Sequence, residues 1–190
     1  MKGTRMNQLL KRAIPSVCIL SCVAVVAAIG QQSIRARVQS EKDRSAAPSF
    51  RLANASGKLV RLSDLRGKPV VLNLWATDCG GCRAELPAFM QMDQRYKGKG
   101  LAVVGVSLDI MYSDLKNSTE GWARVKLFVK TKGIEYSILL DDGSVEKAFN
   151  VTALPATYLI DRAGRVAAIY VGVVDPSDLE ANIKILLSER

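Results

Sequence analysis

Two cysteines three positions apart are the residues of this sequence best suited to chemistry. Cys79 and Cys82 lie in the segment WATDCGGCRAELP, residues 75–87. This spacing suits a redox-active dithiol, half of a metal site, or two buried thiols at a tight turn. The three alternatives differ in what the rest of the chain must supply.

A metal site requires ligands that this chain largely lacks. Structural zinc takes four ligands from Cys, His, Asp or Glu. The 190-residue chain has no histidine, and two of its four cysteines, Cys18 and Cys22, lie in an apolar segment near the amino terminus. We therefore expect no metal and no bound cofactor, with a reversible disulfide between Cys79 and Cys82 as the reactive group.

The elements around the dithiol favour the redox alternative. Residues 70–75 form an apolar run typical of a buried strand, and apolar residues at helical spacing follow from Gly80 to about Tyr96. Cys79 then lies at a helix amino terminus, where free N–H groups and the helix dipole lower the pKa of a thiol below about 8.5. Cys82, one turn further, is placed to attack the mixed disulfide that Cys79 forms. The sequence predicts Cys79 as nucleophile and Cys82 as resolving thiol.

The remaining elements alternate between strands and helices. The sequence predicts a hairpin at 49–65, strands at 70–75, 101–109, 136–140, 156–161 and 165–172, and helices at 80–96, 120–131, 144–149 and 176–187. This order predicts an α/β layer architecture with a mixed sheet.

The amino-terminal residues have the composition of a targeting segment. Four basic residues precede an uncharged run at 13–30, AIPSVCILSCVAVVAAIG, which predicts that residues 1–30 are a signal sequence or membrane anchor. Cleavage after Gly30 and lipidation at Cys22 are the alternatives to a retained anchor, and we favour the anchor because the run just reaches spanning length. We expect the domain on the extracytoplasmic side of the cytoplasmic membrane, or secreted after cleavage.

The composition changes after the apolar run. Residues 31–47 are polar and unpatterned, which predicts a flexible tether, and the folded domain is expected over residues 48–190. The formal charge of +9 is concentrated in the first 45 residues, which carry eight basic and two acidic side chains. The rest has no basic run beside stacking aromatics, so we expect no nucleic-acid binding.

The motifs together resemble a known family. WATDCGGCRAELP, preceded by GKPVVLNL and followed by VTALPATYLIDRAGRV, is similar to the thioredoxin-fold family, in particular its membrane-tethered TlpA-like reductases, which include the cytochrome c maturation type. The resemblance covers residues 48–190 and implies a thioredoxin-like three-layer fold with a mixed central sheet and an extra N-terminal β-hairpin. It implies a thiol-disulfide oxidoreductase that reduces exported proteins, with apocytochrome c as a candidate substrate and an integral membrane thiol carrier as electron donor.

The resemblance also implies where a substrate would bind. In this family a proline before a strand is cis and faces the dithiol, and Leu154 and Pro155 match that position. The candidate substrate-binding residues are therefore Leu154, Pro155 and Trp75.

A proton acceptor is a further expectation. Where cytosolic thioredoxins have a buried Asp, this chain has Asn73, as in the TlpA-like branch, and a neutral amide cannot take a proton from Cys82. Glu85, three residues after Cys82 on the same helical face, can do so if burial raises its pKa. The alternative is that Glu85 is a solvated helix carboxylate.

Three positions beside the cysteines depart from the family pattern and are candidates for tuning the redox potential: Asp78, Gly80 and Gly81. Many relatives have an aromatic residue at the position of Asp78 and a proline at the position of Gly81. A carboxylate next to Cys79 disfavours its thiolate, and two glycines loosen the loop. If Asp78 is exposed, solvent screening makes its effect small.

Two other functions stay open at this point. A thiol peroxidase on the same fold typically has a Thr three residues before its reactive cysteine, whereas this chain has Ala76 there and Thr77 one position later. A non-catalytic binding module would use an apolar patch such as Met111, Tyr112 and Trp122, although apolar residues leading into a helix are more often packing.

Overall fold

The computed structural model describes residues 33–113 and 115–189, so the predicted leader at 1–30 lies outside the described residues. A two-stranded hairpin and a five-stranded sheet are present. The strands are β1 (Arg51–Ala53), β2 (Leu59–Arg61), β3 (Val70–Trp75), β4 (Ala102–Ser107), β5 (Ser137–Leu140), β6 (Ala156–Ile160) and β7 (Val166–Val171).

The large sheet has the order β5-β4-β3-β6-β7. β3, β4 and β5 run parallel, whereas β6 is antiparallel to β3 and β7 is antiparallel to β6. β1 and β2 form the separate antiparallel hairpin. The predicted mixed sheet and extra N-terminal hairpin are both confirmed.

Five α-helices connect or flank the strands of the described part of the chain. They are α1 (Gly80–Tyr96), α2 (Asp109–Tyr112), α3 (Ser118–Lys132), α4 (Ser144–Ala148) and α5 (Pro176–Ser188). α3 begins two residues before the predicted start, and the Asn117 side chain accepts a hydrogen bond from Glu120 N–H there. Gly133 ends that helix with a φ of 66°. Within the described residues, no helix is both long and apolar enough to cross a membrane.

Two hydrophobic cores lie on opposite faces of the sheet, which gives the three layers. Alternate residues of β3 enter different cores, with Val71 and Trp75 on one face and Leu72 and Leu74 on the other. The first core is completed by residues of α1, α3 and α5, and the second by the hairpin and α4. β3 is buried along its whole length, as its apolar run predicts.

Strand register brings the ends of three strands together at one end of the sheet, which we call the sheet edge. Leu74 pairs with Ala156 and Trp75 with Ser107, so the carboxyl ends of β3 and β4 meet the amino end of β6. The segment that carries the dithiol leaves the sheet at this edge.

The N-terminal strap, residues 33–47, packs along the domain, and the prediction of a flexible tether is wrong for these residues. Ile34 forms a parallel bridge with Val174, and Ala46 an antiparallel bridge with Arg165. The folded unit accordingly begins at Ser33 rather than at Pro48. A signal was present, because the partly buried residues of the strap alternate with exposed ones: Ile34, Ala36 and Val38.

Arg44 ties the end of the strap to the carboxyl-terminal part of the chain. Its side chain is almost fully buried and donates to Asp161 Oδ2 at 3.1 Å. It also donates to both carboxylate oxygens of Glu189, at 2.7 and 2.6 Å. A bidentate arginine–carboxylate pair of this kind is stronger than a single hydrogen bond, so ion pairing as well as packing holds the strap.

Candidate redox site

Cys79 and Cys82 form a disulfide at the amino terminus of α1, with Cα atoms 5.2 Å apart. Cys79 caps the helix, since the N–H of Cys82 donates to its Sγ at 3.1 Å. Cys79 is partly exposed, whereas Cys82 has no exposed surface. An external thiol or disulfide can therefore reach only Cys79, as the predicted roles of the two sulfurs require.

Glu85 lies inside the protein, one turn after Cys82. Its side chain is 2% exposed, and its two oxygens accept hydrogen bonds from Asn73 Nδ2 at 2.8 Å and from Val174 N–H at 3.2 Å. Burial raises the pKa of Glu85 to about 7, against the opposing effect of these two hydrogen bonds. The alternative of a solvated helix carboxylate is wrong. A carboxyl group that titrates near neutrality can both accept and return a proton.

Asn73 positions Glu85 from the central strand. Its Nδ2 also donates to Thr157 Oγ1 at 3.1 Å, and Asn73 and Thr157 are directly paired across β3 and β6. Sequence reasoning had identified Asn73 by its difference from thioredoxins but missed Thr157 and Val174. Thr157 is 84 positions from Asn73 and Val174 is 89 positions from Glu85, so no local pattern marks either residue.

The peptide bond between Leu154 and Pro155 is cis, the conformation that the resemblance implied. Leu154 is partly buried, and the carbonyl of Pro155 accepts a hydrogen bond from Gly172 N–H at 2.8 Å. Both residues immediately precede β6, so they lie at the sheet edge where the dithiol segment begins.

The predicted substrate contact of Trp75 is wrong. Its side chain has 0% exposure, and its ring packs against Phe128 with centroids 5.4 Å apart. Because Trp75 ends the central strand, its side chain belongs to the core beneath the dithiol rather than to the surface.

The candidate tuning residues differ in their surroundings. The Asp78 carboxylate is exposed and accepts hydrogen bonds from the Arg124 guanidinium and, at 3.3 Å, from the Ser113 hydroxyl. Gly80 and Gly81 form the first turn of α1, so they are part of a helix rather than of a loose loop. A Cβ at Gly80 would meet no atom within 4 Å, which leaves room for a side chain there.

A buried carboxylate holds the segment just before Cys79. Asp109 is fully buried and accepts hydrogen bonds from Thr77 N–H, from the Thr77 hydroxyl at 2.5 Å and from the Ser107 hydroxyl at 2.6 Å. Arg124 donates through Nε to Thr77 Oγ1 at 2.7 Å. Sequence reasoning missed Asp109 and Arg124. The position of Asp109, just beyond the carboxyl end of a buried strand, was an available signal, whereas Arg124 had none.

The apolar patch expected of a binding module is only partly present. Met111 and Tyr112 on α2 are 52% and 55% exposed, whereas Trp122 packs against the core. Residues 33–113 and 115–189 contain no group of three His, Cys, Asp or Glu side chains arranged to hold a metal ion.

Comparison with known proteins agrees with this geometry. The sequence model of the AhpC/TSA family matches residues 44–169, well over half of the chain. The chain belongs to the AhpC/TSA family. Two relatives carry the name thiol-disulfide oxidoreductase ResA: one from Bacillus subtilis is 34% identical over 140 residues, covering 73% of each chain. The other, from Bacillus thuringiensis, is 30% identical over 179 residues, covering 94% of this chain and 96% of that one.

Solved structures support the same assignment. A thiol:disulfide interchange protein of the thioredoxin family from Chlorobium tepidum TLS has 27% identity and a TM-score of 0.66, covering 78% of this chain and 100% of that one. Like these relatives, this AhpC/TSA protein is a thiol-disulfide oxidoreductase with a thioredoxin-like fold. The resemblance drawn from its motifs is confirmed at that level.

Proposed function

We propose that this protein is a membrane-tethered, extracytoplasmic reductase of disulfides in exported proteins. The observation that carries the proposal is the difference between the two sulfurs: a partly exposed Cys79 is bonded to a fully buried Cys82, with the buried Glu85 one turn further along α1. In this arrangement Cys79 can attack the substrate, and Cys82 can release the product from Cys79.

The reaction begins with the reduced dithiol. The Cys79 thiolate attacks one sulfur of the substrate disulfide, so a mixed disulfide forms and the other substrate sulfur leaves as a thiolate. Cys82 then attacks Cys79 Sγ, which forms the Cys79–Cys82 disulfide and releases the second substrate thiolate. Two electrons pass from the protein to the substrate in these two steps.

Glu85 serves the second step. Cys82 must lose its proton before it can attack, and our proposal assigns Glu85, which is buried like Cys82 and one turn further along α1, as the acceptor. With a pKa of about 7, Glu85 is ionised in an appreciable fraction of molecules at neutral pH and can return the proton when the disulfide is reduced again.

The substrate chain lies beside Leu154 and Pro155 in this proposal. Both residues precede β6 at the edge where α1 begins, so an extended segment could align there with its disulfide near Cys79. Apocytochrome c is a candidate substrate by family resemblance. The electrons that restore the dithiol would come from an integral membrane thiol carrier, and residues 1–30 would hold the domain at that membrane.

Substitution of the two cysteines tests the assigned roles. We expect Cys79→Ser to abolish disulfide reduction, because the nucleophile is lost. Cys82→Ser should retain the first step and accumulate a mixed disulfide with the substrate, detectable as a slower band on non-reducing gels that disappears with reductant. All variants should carry Ser at Cys18 and Cys22, so that the dithiol supplies every thiol measured. A chain with Cys82→Ser that forms no adduct contradicts the roles.

The midpoint potential of the dithiol tests the direction of electron flow. A reductase should titrate near the value of thioredoxin, about −270 mV, whereas an enzyme that inserts disulfides lies near about −120 mV. The same preparation should be tested for consumption of hydrogen peroxide, because a thiol peroxidase is the competing function. We expect little consumption, since Ala76 occupies the position where such enzymes typically have Thr.

A further inference from the structure

The residue immediately before Cys79 carries a negative charge. Asp78 has 60% of its side chain exposed. A carboxylate this near a thiol opposes loss of the thiol proton, because the resulting thiolate would have the same charge. By itself Asp78 would therefore make Cys79 a poorer nucleophile at neutral pH.

A cation from a different element meets this carboxylate. Arg124 lies on α3, 46 positions away in sequence, and its Nη2 donates to Asp78 Oδ2. The Arg124 side chain is 35% exposed, so water screens the pair less than it would a fully exposed one. The positive charge of Arg124 therefore lies next to the negative charge of Asp78, the residue before Cys79.

The other side of the guanidinium is fixed by buried groups. Arg124 Nε donates to Thr77 Oγ1 at 2.7 Å and lies 3.4 Å from Asp109 Oδ1. Asp109 has no exposed surface, and it holds the backbone N–H of Thr77 as well. Arg124 is thus anchored through Nε at Thr77, and its Nη2 is directed at Asp78, the residue before Cys79.

We propose that Arg124 is a positioning residue that offsets the charge of Asp78 and so keeps the Cys79 thiolate stable enough for attack. The inference rests on the proposed role of Cys79 as nucleophile. The ionisable side chains that lie within six positions of Cys79 or contact the segment Thr77–Asp78 are Asp78 itself, Arg83 and Glu85 on α1, Asp109 on α2 and Arg124 on α3.

The expected signs follow from charge alone. Removing the cation with Arg124→Gln should raise the pKa of Cys79 and destabilise the reduced form, which makes the midpoint potential more negative. Removing the anion with Asp78→Asn should do the opposite. The double variant, which loses both charges, should return close to the wild-type potential.

The experiment measures the midpoint potential in glutathione buffers and the Cys79 pKa by thiolate absorbance, in full-length chains with Ser at Cys18 and Cys22. For each single variant we expect a change of about two- to fivefold in the equilibrium constant with glutathione, as for partly exposed charge pairs. For a two-electron couple this corresponds to about 10 to 20 mV. Lys130→Gln on the same helix is the matched control for loss of one positive charge, and it should leave the potential unchanged.

Two outcomes overturn the inference. The first is a single variant that does not shift the potential in the stated direction. The second is a double variant that stays as far from wild type as Arg124→Gln, because Arg124 would then act only through packing. Should Arg124→Gln not fold, Arg124→Lys, which keeps the charge, and Asp78→Asn still test the signs. Failure of the proposed function is distinguishable, because it would appear in the wild type alone, either as a midpoint potential in the range of enzymes that insert disulfides or as no reversible titration, whatever shifts the variants show.

Discussion

At the residue scale, the Glu85 carboxylate owes its chemistry to two hydrogen-bond partners and to the core that surrounds it. Asn73 and Val174 donate to its oxygens, and the core around α1 excludes water. Burial outweighs the two hydrogen bonds and brings the pKa to about 7. Below that pH Glu85 is protonated, so it can no longer accept the proton of Cys82.

The pH dependence of the resolving step therefore tests Glu85. In the wild type we expect the rate at which Cys82 releases the substrate to fall as the pH drops below about 7. Glu85→Gln should remove this inflection and slow the step by about 100-fold or more, a typical loss for a general base. Stopped-flow fluorescence of Trp75, which lies beneath the dithiol, provides the measurement.

Glu135→Gln is the control for this substitution, because Glu135 is an exposed carboxylate at the surface. It should leave the pH profile unchanged. An unaltered profile in Glu85→Gln would remove Glu85 from the mechanism, provided that circular dichroism shows a folded domain.

At the element scale, the N-terminal strap contacts the loop that holds Glu85. Ile34 N–H donates to Val173 C=O at 2.6 Å, and Asp175 N–H donates to Ile34 C=O at 2.8 Å. Between these two bonds lies Val174, whose own N–H holds Glu85. The strap therefore braces the loop that positions the proposed proton acceptor.

Removing the strap should destabilise the domain. A chain that begins at residue 48 loses the apolar contacts of the strap and leaves Asp161 and Glu189 without Arg44. We expect its free energy of unfolding in urea to be at least about 3 kcal/mol lower than that of a chain beginning at residue 33. Arg44→Met in the longer chain separates charge from packing, since it removes the guanidinium but keeps an unbranched apolar stem. Equal stability of the two chains would mean that the strap only rests on the surface.

At the scale of the whole molecule, the sheet edge assembles the site from distant parts of the chain. β3 leads to Cys79, β4 leads to Asp109, and Pro155 directly precedes β6, while α3 contributes Arg124. The proposed flow of electrons also belongs to this scale, because it joins the domain to a donor in the membrane.

The redox state of the dithiol in cells tests that flow. If a membrane thiol carrier supplies electrons, Cys79 and Cys82 should be mostly reduced when cells are quenched in acid and their thiols alkylated with a mass tag. The full-length chain with Ser at Cys18 and Cys22 gives an unambiguous count of two tags. A dithiol found mostly oxidised would indicate that the protein inserts disulfides instead.

Local patterns predicted most elements to within a few residues. β3 and α1 follow from an apolar run and from helical spacing, and the end of α3 at Gly133 follows from a glycine after the last periodic residue. The strap was mispredicted because its apolar alternation is shorter than that of a typical strand and two arginines lie within it. The polar composition of the segment therefore favoured a flexible tether over a strand.

The sequence by itself determined the dithiol, its place at a helix amino terminus and the order of strands and helices, because these depend on residues within a few turns of one another. Only the tertiary structure decided that Glu85 is buried with Val174, that Trp75 is inaccessible, and that Asp78 is paired with Arg124. These contacts join residues far apart in the chain. Strand register and helix packing bring them together, and a linear sequence records neither.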